Sequence, residues 1–279
     1  MQKLISLFLL FLLNAHTLCA YQYNVSICAI FQNDGPYLKE WIDHHRTQGV
    51  EHFWLYNNNS NDNFRDVLKP YIKKKIVELI EWPGDAHNIE EWNNIQCRAY
   101  KDGVQRAKNV SKWCAFLDTD EFLFCPDGKS LKKALAGYEA FGGIGINWVM
   151  YGTSGVEKIL PTEKLVNRLV YRVNLDHPIC LHIKTIAQPS RVIDCLNPHF
   201  FFYAPNQAAA VTENKEPVHG PFTAYNSVSK FRINHYWSRD RYFFYNQKIP
   251  RREKWGGDSA NSIGMENEFN AVYDPILVR

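Results

Sequence analysis

Two aspartates separated by a single residue follow a strongly apolar stretch of the chain. Asp118 and Asp120, with Glu121 beside them, lie between the apolar runs that end at Leu117 and begin at Phe122. Carboxylates are hard oxygen ligands, and a cation that bridges a diphosphate, such as Mg²⁺ or Mn²⁺, leaves positions open for phosphate oxygens. Burying these charges without a cation or hydrogen-bond donors is costly. The spacing therefore favours a metal site over a solvated loop.

The elements that must hold this cluster alternate between apolar runs and helix-like segments. Strands are predicted at 25–31, 52–56, 76–82, 113–117, 144–150, 169–173 and 184–192, and helices at 36–48, 63–71, 90–108 and 130–138. The tail reads as helical from Tyr242 and then as irregular. This order indicates an α/β fold with a mostly parallel central sheet and helices on both faces. Ligands of such sheets bind at the carboxyl ends of the strands, where Asp118 stands.

The composition is that of a folded chain able to bury a large core. Of 279 residues, 46% are apolar and 22% are charged, and the net charge is +3. So small a charge gives no basis for nucleic-acid binding, and the chain lacks the glycine-lysine loop of a P-loop kinase. Because no repeat or low-complexity linker interrupts residues 21–279, a single domain is predicted there.

Residues 1–20 have the pattern of a targeting segment. A basic head at Lys3 is followed by the apolar run Leu4 to Leu13 and, further on, by Ala20. The run is shorter than the ~20 residues of a spanning helix. A cleaved signal peptide is predicted, with an uncleaved signal anchor and membrane association as the alternative. The expected location is secreted, periplasmic or luminal, or anchored in a membrane.

Further motifs are spread along most of the chain. They are Cys28 to Trp41, His44-His45, Gly49 to Phe53, Tyr56 to Ser60, Phe116 to Phe122 and Asn234 to Tyr236. In this combination the chain resembles glycosyltransferase family 92 and its bacterial relatives, within the wider glycosyltransferase 2-like set. The resemblance implies the GT-A fold, a sandwich that binds a nucleotide sugar, together with a UDP-sugar donor and Mn²⁺ or Mg²⁺.

The resemblance also implies site residues. Asp118 and Asp120 match the family's Asp-x-Asp motif, and His235 matches a late histidine that completes the metal site in related enzymes. Taken without the family, a histidine beside Tyr236 is more often a core residue. The nucleotide side of the site is implied by Asp118 and by four further matches: Asn33, Asp34, Asn57 and Gln96. The family commonly has Asn-Glu at the first pair, so Asp34 is a shortened substitute.

The acceptor side and the chemistry are less specified. Trp148 and Gly152 lie in an aromatic and glycine-rich stretch that resembles the acceptor side of such pockets. Lys184 matches a family lysine, which implies a cation beside the departing diphosphate; a surface lysine is the alternative. An inverting transfer also needs a base near the acceptor hydroxyl. Asp194 is favoured because it follows a predicted strand, and the other candidates stay open: Glu157, Asp176, His199 and His219.

The tail adds a basic run that indicates either a lid over the phosphates or a solvated face. Its members are Arg239, Arg241, Lys248, Arg251, Arg252 and Lys254. The acidic cluster predicts a metal-dependent enzyme, and the family resemblance implies a hexosyltransferase that transfers a hexose, with galactose favoured, from a UDP-sugar to a saccharide hydroxyl with inversion. One alternative is a glycoside hydrolase, whose carboxylates lie ~5 to 9 Å apart across a scissile bond. The other is a non-catalytic carbohydrate-binding or secreted effector protein that retains the fold.

Overall fold

A nine-stranded sheet forms the centre of the computed structural model, which describes residues 21–278. The strands are β1 (Tyr23–Phe31), β2 (His52–Asn57), β3 (Val77–Glu81), β4 (Ser111–Phe116), β5 (Glu121–Phe124), β6 (Gly143–Met150), β7 (Tyr171–Arg172), β8 (Ile183–Ala187), β9 (Val192–Asn197), β10 (Phe200–Tyr203), β11 (Ala210–Val211), β12 (Arg232–His235) and β13 (Val272–Tyr273). The helices are α1 (Gly35–Thr47), α2 (Phe64–Lys73), α3 (Ile89–Ala107), α4 (Leu131–Leu135), α5 (Leu165–Arg168), α6 (Arg241–Phe243), α7 (Ile249–Lys254) and α8 (Ser259–Glu268).

The strand order brings the ends of distant strands together. Eight strands run in the order β3-β2-β1-β4-β8-β6-β12-β5, and β11 pairs with β6. β3, β2, β1 and β4 are parallel neighbours, as are β6 and β12, whereas β8 is antiparallel to both β4 and β6. The carboxyl ends of β1, β4, β6 and β12 therefore share one edge with the amino end of β8.

Helices cover both faces of this sheet. Successive side chains of a strand point to opposite faces. Ile27 and Ala29 of β1 accordingly pack in the apolar cluster that includes α1 and α2, whereas Cys28 and Ile30 pack in the cluster that includes α3. The predicted α/β class and the helices on both faces are confirmed.

Two sequence predictions about the second half of the chain are wrong. The strand predicted over 184–192 is divided, because β8 ends at Ala187 and a 3₁₀ turn occupies Pro189–Arg191 before β9. Proline has no N–H for a strand ladder, which explains the break. The tail is also more regular than predicted, since α8 forms there and begins where the Asp258 carboxylate accepts the Ala260 N–H at 2.8 Å.

The predicted leader, residues 1–20, lies outside the described part of the chain. Within residues 21–278 no helix combines the length and the apolar character needed to cross a membrane. The single domain expected for residues 21–279 stays a prediction.

Candidate active site

A cleft of about 380 Å³ opens at the shared edge of the sheet. Asp34, Asp118 and Asp120 are the carboxylates among its described lining residues. Five cationic side chains, four of them from the tail, line the same cleft: Lys184, Arg239, Lys248, Arg251 and Arg252. The cleft is therefore a place where an anionic ligand can meet both carboxylates and cations.

Asp118 is held between an amide and an ammonium group. Its Oδ1 accepts a hydrogen bond of 2.6 Å from Nε2 of Gln96 on α3, and its Oδ2 lies 3.0 Å from Nζ of Lys184 on β8. Burial opposes ionisation of this carboxyl, but the Lys184 charge lowers its pKa below the ordinary value. The Lys184 side chain is only 1% exposed, so it is not a surface lysine.

Asp120 is buried against two side chains from the C-terminal part of the chain. Nε2 of His235 lies 3.3 Å from its Oδ1, and Nζ of Lys248 lies 3.3 Å from its Oδ2. Within the described residues Oδ1 has no hydrogen-bond partner. Burial raises the pKa of this carboxyl, but Lys248 and His235 outweigh burial and hold the pKa well below its usual range. Asp120 is therefore an anion with one oxygen left unsatisfied.

Glu121 differs from its two acidic neighbours because its side chain is completely buried. Its Oε2 accepts the backbone N–H of Asp118 at 2.9 Å, which braces the turn between β4 and β5. Burial raises the pKa of Glu121 well above the ordinary value. Glu121 thus supports the turn from within the core, whereas Asp118 and Asp120 line the cleft.

Asp34 follows β1 and is tied to the tail. Its Oδ1 lies 2.6 Å from a guanidinium nitrogen of Arg239, and its Oδ2 accepts the Thr119 hydroxyl at 2.7 Å. Arg239 also lies over the rings of Tyr37 and Phe243, at 4.1 Å and 4.3 Å from their centroids. This network connects the first strand, the Asp-x-Asp turn and the tail.

A second recess of about 300 Å³ adjoins the cleft. Asn33, in the left-handed region at φ 56°, lines it, and its Oδ1 accepts the Asn61 N–H at 2.9 Å. Trp92 and Trp255 line both cavities, with their rings stacked at a centroid distance of 5.6 Å. A flat, partly polar group can therefore extend from the cleft into this recess.

Trp148 on β6 lines the opposite part of the cleft within a group of histidines. The His182 ring stacks on it at 5.0 Å with an interplanar angle of 11°, and the His199 and His235 rings approach at 5.2 Å and 4.5 Å. The indole Nε1 is buried and has no hydrogen-bond partner within the described residues. This group, Trp148 with His182 and His199, is called the histidine pocket below.

Three predicted site residues lie away from these cavities. Asn57, at the end of β2, donates to Glu81 Oε2 at 2.7 Å and accepts the Ser60 N–H at 3.0 Å, so it braces its own turn. Gly152 packs against Asn270, and a Cβ atom there would lie 2.4 Å from Asn270 Oδ1. Asp194 is 41% exposed and forms an ion pair of 2.7 Å with Lys101 beside a separate recess.

Sequence reasoning missed residues that the structure brings into the site. His182 lies directly before β8 in extended conformation, two positions before Lys184, and side chains two apart in an extended chain share a face. That spacing was a usable signal once Lys184 was selected. Trp92 and Trp255 had no comparable signal, because their stacking depends on the path of the tail.

An α/β sandwich with its polar cleft at the carboxyl ends of the strands is a fold of the GT-A type. A model of glycosyltransferase family 92 matches residues 21–259. The chain belongs to glycosyltransferase family 92.

Curated relatives match parts of the chain. A family 92 protein of Ricinus communis is 28% identical over 142 residues, which is 49% of this chain and 24% of that protein. A β-1,4-galactosyltransferase of Caenorhabditis elegans is 30% identical over 116 residues, covering 39% and 27% of the two chains. The matches thus span about a quarter of each relative's length. Among solved structures, Staphylococcus aureus TarS aligns with 88% of this chain and 70% of its own, at 10% identity and a TM-score of 0.41.

Proposed function

We propose that this chain is a metal-dependent glycosyltransferase that moves galactose from UDP-galactose to a saccharide hydroxyl, with inversion at the anomeric carbon. The observation that carries the proposal is the ionised pair Asp118 and Asp120, which faces the cleft beside Lys184. Side-by-side carboxylates suit a shared cation better than a hydrolase, whose two carboxyls flank the scissile bond. The names of relatives from Caenorhabditis elegans and Arabidopsis thaliana, both β-1,4-galactosyltransferases, support galactose as the sugar.

The residues present fit a divalent cation. Asp120 Oδ1 is a buried carboxylate oxygen without a hydrogen-bond partner, and His235 lies 3.3 Å from it. Among residues 21–278, no three His, Cys, Asp or Glu side chains are grouped to hold an ion by themselves. In this proposal Asp120, His235 and Asp118 are the residues that would hold Mn²⁺ or Mg²⁺ beside the donor's diphosphate. When bound, the cation neutralises charge on the leaving group.

The remaining steps belong to the chain's own side chains. Gln96 orients Asp118 through its 2.6 Å hydrogen bond, and Lys184 supplies a fixed positive charge beside the place of the diphosphate. Asn33, Asp34 and the recess with Trp92 and Trp255 bind the nucleoside. A fixed charge that needs no reorganisation during reaction lowers the barrier for departure of the diphosphate. The acceptor hydroxyl attacks the anomeric carbon from the face opposite the leaving group.

The first test is thermal unfolding with UDP, GDP or CMP, each with and without Mn²⁺, since a ligand of the native state raises the melting temperature. We expect UDP to stabilise the protein only when Mn²⁺ is present, and UDP-galactose to release UDP. Asp120→Ala and the more conservative Asp120→Asn should abolish both effects. The matched control is Asp127→Ala, an exposed aspartate.

The outcomes separate the rival functions. A rise in melting temperature with nucleotide but without any turnover of UDP-galactose would favour a binding protein that retains the fold. Turnover in the presence of EDTA would exclude metal dependence. We also propose that residues 1–20 direct the chain out of the cytosol. Amino-terminal sequencing of the expressed protein tests this, because a mature chain that starts near residue 21 shows cleavage and an intact Met1 favours a signal anchor.

A further inference from the structure

The cleft offers few groups that can take a proton from the acceptor hydroxyl. Each of its carboxylates faces a cation at close range: Asp34 with Arg239, Asp118 with Lys184 and Asp120 with Lys248. A carboxylate held in such an ion pair is a weak base, because protonation breaks the pair. The acidic residues expected for this role from the sequence, Glu157, Asp176 and Asp194, are not among the lining residues of the cleft. The histidine pocket supplies the remaining candidates.

The tautomers of both histidines follow from their hydrogen bonds. Nδ1 of His182 lies 3.1 Å from the carbonyl oxygen of Ile179, and Nδ1 of His199 lies 2.9 Å from that of Ile183. A carbonyl oxygen can only accept, so Nδ1 carries the proton in each neutral ring. The lone pair is then on Nε2, and within the described residues neither Nε2 has a hydrogen-bond partner.

We infer that His182 is the general base that removes the proton from the acceptor hydroxyl. This inference rests on the proposed function. In the step, the hydroxyl proton moves to Nε2 of His182 while the acceptor oxygen forms a bond to the anomeric carbon. The bond from that carbon to the diphosphate oxygen breaks, and its electron pair leaves with UDP. The imidazolium then returns the proton to water.

Two features favour His182 over His199. Burial, reinforced by Lys184, lowers the pKa of His199 to about 3, and so weak a base takes up a proton poorly near neutral pH. Burial also lowers the pKa of His182, opposed by its backbone hydrogen bond, but the shift is smaller. In addition, His182 stacks face to face on Trp148 at 5.0 Å, and an imidazolium over an indole face gains cation–π stabilisation.

Other titratable groups near His182 affect the pH at which it is expected to take up a proton. His199 lies at 5.9 Å between ring centroids, His235 acts on His182 through space, and Lys184 lies two positions further along the chain on β8. Phe222 covers another side at 4.4 Å and carries no charge. Burial and the charge of His235 oppose a positive charge on His182, so the group that limits activity on the acid side should titrate below the ordinary histidine pKa of about 6.5.

The test uses the full chain with UDP-galactose as donor and methyl β-D-galactopyranoside or water as acceptor. His182→Gln should lower kcat by about 10²- to 10⁴-fold, the usual contribution of a general base. The Mn²⁺-dependent thermal shift with UDP should stay unchanged. In His182→Ala, added imidazole should restore part of the lost rate. His199→Gln is the matched variant within the pocket, and His219→Gln, at an exposed histidine, is the remote control.

The results distinguish a failure of the proposed function from a failure of the His182 assignment. If the wild-type chain neither binds UDP with Mn²⁺ nor turns over UDP-galactose, the proposed function fails. If the wild type is active and His182→Gln has the same kcat and the same loss of activity at low pH, the assignment of the base is overturned. A loss confined to His199→Gln, or a His182→Gln variant that no longer binds UDP, also overturns it.

Discussion

Nζ of Lys248 lies 3.3 Å from Oδ2 of Asp120, although 128 residues separate the two in the chain. Both side chains are buried, and the lysine is the last residue of a π-helical turn, Phe244–Lys248, and lines the cleft. The Lys248 ammonium group therefore pairs with one of the two Asp120 carboxylate oxygens that a divalent cation would need as ligands. If Asp120 binds a metal as proposed, we expect Lys248 to compete with that metal for the carboxylate when no diphosphate is present.

This competition predicts the effect of Lys248→Met on metal binding. With the ammonium removed, Mn²⁺ alone should bind at least about tenfold more tightly, which corresponds to about 1.4 kcal/mol. Isothermal titration with Mn²⁺ in the absence of nucleotide measures the difference. Lys132→Met, at an exposed lysine on α4, is the control and should behave as the wild type. Equal or weaker Mn²⁺ binding in Lys248→Met would contradict the competition.

The ion pair between Asp34 and Arg239 should be costly to break. Arg239→Met leaves the Asp34 carboxylate buried without its cation, so we expect a loss of about 3 to 5 kcal/mol of unfolding free energy in urea titrations. Adding Asp34→Asn to that variant should recover part of the loss. Arg65→Met removes the exposed pair with Glu81 and should cost less than about 1 kcal/mol. Similar losses in the two single variants would show that burial does not strengthen the Arg239 contact.

His45 predicts a loss of stability in mild acid. Its ring is buried on α1, where Nδ1 meets the Trp41 carbonyl at 2.8 Å and Nε2 accepts the Leu123 N–H at 3.1 Å. Burial, with a smaller effect of His44, holds the pKa of His45 well below its ordinary value. The unfolded chain therefore binds a proton that the folded chain rejects, so stability falls as the pH drops below about 6.5.

The measurement compares wild type and His45→Gln in urea between pH 7 and pH 5. Below the unfolded pKa, His45 should add a slope of about 1.4 kcal/mol per pH unit that the variant lacks. The variant should be less stable than the wild type at pH 7 and should approach it at pH 5. Parallel curves would mean that His45 takes up a proton as readily in the folded chain as in the unfolded chain, which would contradict a lowered pKa.

Gly152 predicts a variant that affects stability and leaves nucleotide binding intact. A Cβ atom there would lie 2.4 Å from Oδ1 of Asn270, which accepts the Ser154 N–H at 2.7 Å and cannot move without losing that bond. Gly152→Ala should cost about 1 to 3 kcal/mol, the usual range for overpacking. Gly137→Ala is the control, since nothing lies within 4 Å of the added atom. If Gly152→Ala loses the UDP-dependent rise in melting temperature and Gly137→Ala keeps it, Gly152 is part of the nucleotide-binding site after all.

Local pattern was sufficient for the elements of the first half of the fold. The runs that became β1, β2, β3 and β4 alternate with amphipathic segments, and each of these elements lies within two residues of its predicted bounds. The second half was harder because β8 and β12 are short and are stabilised by neighbours far away in the chain. Proline at 189 was a readable signal for the end of β8, and its effect was missed.

The site shows the same division between local and distant information. Asp118 is predicted from its local motif and Gln96 from the family resemblance, and the structure joins them by a hydrogen bond of 2.6 Å. Pairing of Asp120 with Lys248, or of Asp34 with Arg239, depends on how the tail returns to the sheet, which no local spacing encodes. Asp194 shows that a position on a predicted strand does not by itself place a residue in the site, since its strand β9 lies outside the central sheet.

The return of the tail has a consequence for the order in which the ribosome makes the protein. Strands β1 to β4 and the Asp-x-Asp turn leave the ribosome while β12 and Lys248 have not yet been synthesised. During that interval Asp34 and Asp120 have no Arg239 or Lys248 to neutralise them, and the half-made sheet carries unpaired carboxylates at its edge. The last fifth of the chain thus closes the sheet and neutralises its acidic edge, so early release of the nascent chain would leave an aggregation-prone fragment.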